Sequence, residues 1–230
     1  MECNFEGFLT GPENQEAWTA ATQMGRGESA GPLYLYGPNG TGKSHLIRAA
    51  AAELKKRNPE ARIRCLLCDD FVADLVHAIV HDERDGFYEK YYRADGLFLD
   101  DIQMLAGKTS TQEELAMILR TLLAAGKPVM LAADRKPEAL EVIQELLTLS
   151  SQASVFRLAL PGAELRSRMI RNQCAQMGMT LSEPVHMLLV DHSRNFRQAL
   201  GLCKRLLAMR DLEEIPLEPE NVMGILEKLN

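Results

Sequence analysis

The sequence predicts an α/β fold: five short strands in a parallel sheet covered by helices on both faces, followed by a small all-helical segment. Three observations predict it. Short apolar runs alternate along the first two thirds of the chain with stretches of helical periodicity, the pattern of strands joined by crossover helices. The first apolar run, Leu33-Tyr34-Leu35-Tyr36, passes through Gly37-Pro38-Asn39-Gly40-Thr41-Gly42-Lys43-Ser44 directly into a helix. Beyond Pro161-Gly162 no strand pattern recurs.

The elements follow in order. Residues 13 to 24 place Ala17, Trp18, Ala21 and Met24 at helical spacing and stop at Gly25, and the Gly-rich stretch to Gly31 reads as a loop. The first strand is 33 to 36; its loop leads into a helix over His45 to Leu54, which Arg57-Asn58-Pro59 closes. A second strand spans Arg62 to Leu67. Asp69 or Asp70 is expected to cap the next helix, which carries Phe71, Leu75, Ala78 and Ile79 on one face; a further helical segment covers Gly86 to Tyr92. Gly96-Leu97-Phe98-Leu99-Asp100-Asp101 reads as a buried strand ending in two acids. A helix over Thr111 to Ala124, a strand over Pro128 to Leu131, a helix from Pro137 to about Thr148 and a strand over Val155 to Leu160 complete a first domain, residues 1–160. A second domain, residues 161–230, holds helices over 163 to 177, 182 to 191, 195 to 209 and 219 to 229.

The glycine-rich loop fits G-x-x-x-x-G-K-[ST] in full, with the strand before and the helix after that the motif requires. Glycines let successive backbone N–H groups turn inward around phosphate oxygens, and the following helix N-terminus favours negative charge. Gly37, Asn39, Gly40, Thr41, Gly42, Lys43, Ser44 and His45 are therefore the candidate nucleotide-binding residues. Lys43 would reach the β- and γ-phosphates, and the Ser44 hydroxyl would ligate Mg²⁺. An acid ending a buried strand supplies the second part: Asp100 would hold the metal while Asp101 orients and deprotonates the attacking water.

Composition narrows the alternatives. The chain has 230 residues and is 46% hydrophobic, enough to bury a core without disulfides, and its five cysteines form no even framework. The acidic start and the absence of a long apolar run predict a soluble, cytoplasmic protein with no membrane association. Cys65 and Cys68 form a lone C-x-x-C without a second ligand pair, and His77 and His81 stand alone at i, i+4, so neither pattern makes a zinc site. The net charge of −6 excludes a protein that grips nucleic acid over its whole surface. Charge is uneven: Pro161 to Arg210 holds eight Lys/Arg against three acids, and Asp69 to Asp95 holds eight acids against three bases.

With these parts in place the chain resembles the AAA+ ATPases and, within them, the ATPase domain of the bacterial replication initiator family DnaA, over essentially its whole length. The resemblance rests on Phe5 to Asn14, on Leu99 to Lys108 with Thr111-Gln112-Glu113-Glu114, on Met130 to Arg135, and on Asn195-Phe196-Arg197-Gln198-Ala199-Leu200. It implies that Leu9 and Thr10 pack on the adenine, that Asp134 reads the γ-phosphate, and that Arg197 is a second phosphate-contacting cation in a helical lid. It implies ATP or ADP with Mg²⁺ as ligands, and single-stranded DNA contact through Asp69 to Arg93. The chain ends at Asn230, where the family would enter its duplex-binding domain, so no duplex-specific binding is expected.

Two departures shape the functional expectation. The family carries an arginine finger before its last strand, where this chain has Leu146-Leu147-Thr148-Leu149-Ser150-Ser151; the only arginine between Arg135 and Arg166 is Arg157. The acidity of residues 69–95 weakens the attraction to phosphates on which single-strand affinity depends. The expected protein binds ATP or ADP, hydrolyses slowly if at all, and acts in replication initiation or its control by nucleotide-dependent assembly with an initiator or other replication proteins. The alternatives are a regulator resembling Hda, a helicase loader resembling DnaC, and a non-catalytic module that keeps nucleotide as a structural ligand.

Overall fold

A computed structural model describes residues 3–29 and 31–226. The chain forms α1 (Gln15–Gly25), β1 (Leu33–Tyr36), α2 (Lys43–Arg57), β2 (Ile63–Leu67), α3 (Cys68–Val80), α4 (Arg84–Tyr91), β3 (Gly96–Asp100), α5 (Thr109–Ala124), β4 (Val129–Ala133), α6 (Gln144–Ser151) and β5 (Ser154–Arg157). The helices α7 (Ala163–Gln176), α8 (Glu183–His192), α9 (Phe196–Asp211) and α10 (Pro219–Leu226) follow, with 3₁₀ turns at Ile102–Leu105 and Pro137–Ala139. The last residues assigned by the sequence to α10, 227 to 229, lie outside the described residues. None of the described helices is long and apolar enough to cross a membrane. The chain divides into two compact units, one holding Asn14–Pro38 and Gly42–Leu158 with the segment up to Phe8, the other holding Leu9–Glu13, Asn39–Thr41 and the chain from Ala159 onward.

In the first unit the five strands are all parallel, in the order β2-β3-β4-β1-β5. Strand alternation assigns the two faces. Tyr34, Leu97, Leu99, Val129 and Leu131 belong to a core with residues of α3, α4 and α5, whereas Leu33, Leu35, Phe98, Met130 and Ala132 belong to a core with α1 and α2. β3 and β4 are buried at every position because both their faces are covered and both have neighbours; of the edge strands, β2 is half-buried and β5 largely exposed. β1, β3 and β4 end at one edge of the sheet. That edge therefore collects the loop after Tyr36, the acids at 100 and 101, and Asp134.

Three sequence expectations are corrected. Neither Asp69 nor Asp70 is the N-cap of α3: the helix starts at Cys68 straight from the strand with extended Leu67 as the cap, and both acids sit in its first turn. Buried Cys68 and Phe71 draw the turn against the sheet with no loop between. The helix expected from Pro137 to Thr148 is broken. Only Pro137–Ala139 turns; Leu140 and Ile143 are extended, and the Ile143 N–H donates at 2.6 Å to the side-chain oxygen of buried Gln112 instead of continuing a helix. The last strand stops at Arg157: the Leu158 N–H closes the ladder on the Tyr36 carbonyl at 2.7 Å, and the Ala159 N–H turns instead to the Glu13 carbonyl.

The second unit has its own core, in which Ile170, Val185, Leu189, Cys203, Leu206 and Met209 are buried together. Asn195 caps α9, its side chain accepting from the Gln198 N–H at 2.9 Å. The Glu13 carboxylate accepts from the Gly162 N–H at 2.6 Å, fixing the segment Leu9–Glu13 to the start of α7.

Asp95 ties together the starts of three adjacent strands. Its carboxylate accepts from the Arg62 backbone N–H and from Lys127 Nζ, each at 2.9 Å, and these bonds lower its pKa to about 2. Asp95→Ala is expected to cost roughly 1–3 kcal/mol in urea unfolding at about pH 7, the range for hydrogen bonds to a charged group. Because the folded pKa is depressed, the stabilisation is present above the unfolded value of about 3.9 and fades as pH falls toward 2. The difference between wild type and variant should therefore shrink below about pH 4; an equal difference at both pH values would contradict the assignment.

Candidate functional site

The loop after β1 is held open by backbone conformations that side chains resist. Gly37 has φ +153° and a Cβ there would lie 2.0 Å from the Leu158 carbonyl oxygen; Gly42, the N-cap of α2, has φ +105° with the Phe8 ring where a Cβ would stand. α2 begins at Lys43, two residues before the sequence suggested, so Lys43 and Ser44 occupy its first turn. The Lys43 side chain is buried and folds back over the loop, its ammonium donating to the carbonyls of Gly37 at 2.7 Å and Pro38 at 3.1 Å. The His45 ring meets the Asn4 carbonyl at 2.7 Å and packs near Phe8, which pins the N-terminal segment to α2.

Asp100 ends β3 and is 3% exposed. One carboxylate oxygen accepts from the Asp101 N–H at 3.0 Å, while the other, Oδ2, is buried without a hydrogen-bond partner of good geometry. Burial pushes its pKa up; the adjacent Ser44 hydroxyl pulls it down, the Asp101 charge adds to the rise, and Lys43 opposes it. Asp101 follows in a left-handed conformation, φ 60° and ψ 44°, which swings its side chain out of the strand's alternation. Gln103, on the adjoining 3₁₀ turn, donates to Asp101 Oδ1 at 2.9 Å and accepts from the Asp134 N–H at 3.3 Å. At the end of β4, Arg135 binds the Asp134 carboxylate through two bonds of 2.7 and 3.0 Å, and this pairing holds the carboxyl below its usual range. The Tyr34 hydroxyl, reaching across from β1, donates to the Arg135 carbonyl at 2.9 Å and fixes the turn.

Of the sequence-selected residues, the first unit thus gathers Gly37, Gly42, Lys43, Ser44, Asp100, Asp101 and Asp134 at its strand ends. His45 lies on α2 of the same unit, and the others belong to the second unit. There Leu9 packs against the helical core, the Thr10 carbonyl accepts from Arg168 at 3.0 Å, and Asn39, Gly40 and Thr41 join the unit, with the Gly40 carbonyl accepting from the Phe196 N–H at 3.0 Å. Arg197 stands in the first turn of α9, exposed. Gln103 was not singled out from the sequence, although it lies within the quoted run after the acid pair. Nothing in that run distinguishes a bridging glutamine from a solvated one.

A family described as the bacterial DnaA ATPase domain matches residues 1–155. The chain belongs to the DnaA ATPase-domain family. It is 32% identical over 226 residues to the chromosomal replication initiator DnaA of Rippkaea orientalis, covering 96% of this chain and 50% of that protein, and 34% identical over 209 residues to that of Methylobacillus flagellatus, covering 89% and 44%. The chain spans about half the length of the curated relatives it matches. Domain III of the Thermotoga maritima DnaA superposes with a TM-score of 0.93 at 28% identity, over 99% of this chain and 96% of that one. A DnaA described as bound to AMPPCP and single-stranded DNA superposes with a TM-score of 0.84 at 29% identity, over 92% and 66%. The branch-migration motor RuvB of Thermotoga maritima shares the fold, with a TM-score of 0.70 at 19% identity. The fold is therefore the AAA+ core of a DnaA domain, with a helical unit after it.

In the segment of α3 and α4, two cations are engaged by acids. Lys90 pairs with Asp74 at 2.5 Å and Arg93 with Glu89 at 2.9 Å. Tyr91 is fully buried against Phe71 and Phe87 with its hydroxyl bonded to Asp74, so it offers no ring for base stacking; Tyr88 is 40% exposed. Cys68 is buried, which pushes its thiol up to about 12, and Cys65 lies on the edge strand β2. Arg157 is the exposed last residue of β5.

The loop geometry gives a stability contrast. Gly27→Ala meets only the left-handed backbone penalty, since nothing lies within 4 Å, and is expected to cost about 1 kcal/mol. Gly37→Ala adds a collision with the Leu158 carbonyl and is expected to cost at least about 2 kcal/mol more in thermal or urea unfolding. Equal losses would mean that the loop does not lie against Leu158.

Proposed function

We propose that this chain is the nucleotide-binding switch of a DnaA-type protein, binding Mg-ATP or Mg-ADP and acting in the initiation of DNA replication or its control. The observation that carries the reading is the buried Asp100 Oδ2, which lacks a hydrogen bond of good geometry, with the Ser44 hydroxyl acting on the same carboxylate at the mouth of a glycine-rich loop. A carboxylate oxygen in that setting fits a divalent cation, so Ser44 and Asp100 would hold Mg²⁺, which supplies charge neutralisation at the phosphates. Backbone groups of Gly37, Asn39, Gly40, Thr41, Gly42, Lys43, Ser44 and His45 cradle the phosphates, and Leu9 and Thr10 face the base. The Lys43 ammonium exchanges its loop carbonyls for phosphate oxygens. Asp101 orients and deprotonates the attacking water, Asp134 senses the γ-phosphate once Arg135 yields it, and Arg197 is the second phosphate-facing cation. The relatives described with AMPPCP support nucleotide binding.

Hydrolysis by the chain alone is slow in this reading. α6, where the family carries its finger, contains no arginine, and in related enzymes such an arginine is worth about 10³ to 10⁵ in turnover. The chain accepts a finger from a DnaA-type neighbour but donates none, so it assembles with partners in one polarity. Single-stranded DNA binding is weak and salt-dependent, because residues 69–95 carry eight acids against three bases and two of those bases, Lys90 and Arg93, are already paired with acids. The protein works in the cytoplasm, without a membrane.

Lys43→Ala should abolish the thermal stabilisation that Mg-ATP and Mg-ADP give the wild type, because the main cation facing the phosphates is gone. Equal nucleotide-induced shifts in both proteins would refute the assignment of the loop.

A further inference from the structure

We propose that Gln103 is a positioning residue that sets the Asp101 carboxylate by tying it to the end of β4; the inference rests on the hydrolytic reading of the site given above. One side chain makes both bonds, Nε2 to Asp101 Oδ1 at 2.9 Å and Oε1 from the Asp134 N–H at 3.3 Å. Its orientation is fixed by chemistry, since an ionised carboxylate only accepts and a backbone N–H only donates. The turn that carries it is anchored on both sides: Ile102 and Leu105 are fully buried, and the Leu105 carbonyl accepts from Gln112 Nε2 at 2.7 Å. A rigid mount therefore aims a two-headed amide at the water-activating acid and at the residue that senses phosphate.

The consequence is mechanical. Asp101 has a left-handed backbone, which by itself leaves the side chain free to rotate, and the Gln103 bond selects one rotamer while leaving Oδ2 without a hydrogen bond among the described residues. Any shift of the Asp134 backbone therefore passes through this single side chain to the base. Gln112 is the internal contrast. It bridges backbone groups of Leu105 and Ile143 in the same way, with no hydrogen bond to Asp101 or Asp134 among the described residues, so its role is to hold local backbone.

The test compares wild type, Gln103→Leu, Gln103→Glu and Gln112→Leu in nucleotide affinity, steady-state hydrolysis, melting temperature and amide exchange of Asp134 by NMR. Gln103→Leu should lower kcat about tenfold to a hundredfold while Kd for Mg-ATP changes less than about threefold, the mark of a group that orients another. It should also speed Asp134 amide exchange. Gln103→Glu should lose the same turnover, because its carboxylate repels Asp101, yet keep the Asp134 amide protected. Gln112→Leu should lower the melting temperature with turnover preserved in the folded fraction. Unchanged kcat in Gln103→Leu, or parallel losses of affinity, turnover and stability, would overturn the role of Gln103. A wild type that binds Mg-ATP without turnover would overturn it together with the hydrolytic step, and a wild type that binds no nucleotide would overturn the reading of the site itself.

Discussion

An aspartate carboxylate at the end of a fully buried strand, with one oxygen unpaired, is the constraint around which the first unit is arranged. Leaving such a group buried costs on the order of 1–3 kcal/mol, and more while it is charged. Asp100 is placed there by the sheet: β3 is central, pairing with β2 and β4, and its alternation points Phe98 and Asp100 toward the α2 side, where Ser44 opens the helix. Ser44 cannot be elsewhere, because Gly42 ends the loop as a left-handed N-cap and α2 packs its alanine face on the sheet. On the function proposed above, the local cost is that of a site prepared for a cation and an anion together.

The remaining machinery depends on the same strand end. Because Asp100 stays in the ladder, the chain must break immediately after it, and the break is the left-handed Asp101 followed by a tight turn locked by Ile102 and Leu105. Gln103 then joins this turn to β4, and Tyr34 joins β4 to β1 through the Arg135 carbonyl. The ends of β3, β4 and β1 are in this way coupled by side chains, while Asp95 holds the starts of β2, β3 and β4.

Much of this was legible in the sequence because the decisive signals are local. The loop motif fixes its own flanks, strand then helix, and the apolar run ending at Asp100 and Asp101 is short enough to have one reading. Five strands and the helical segment beyond Pro161 follow from period and punctuation alone. What was missed is tertiary. The cap of α3 failed because a buried cysteine and phenylalanine outweighed the capping preference of two aspartates. The break before α6 depends on a buried glutamine side chain thirty-one positions away, and the burial of Tyr91 on an aromatic cluster that no spacing rule separates from a solvated helix face. Gln103 was invisible for the same reason, since its two partners come from different strands.

The central claim is that Asp100 and Ser44 form a cation site that is completed with nucleotide. Calorimetric titration of ATP into wild type and Asp100→Asn, each with and without Mg²⁺, tests it most directly. The account predicts that Mg²⁺ strengthens ATP binding to the wild type and that this enhancement is lost in Asp100→Asn, with metal-free affinity equal or higher because a buried negative charge has been removed. An enhancement of the same size in both proteins would contradict it.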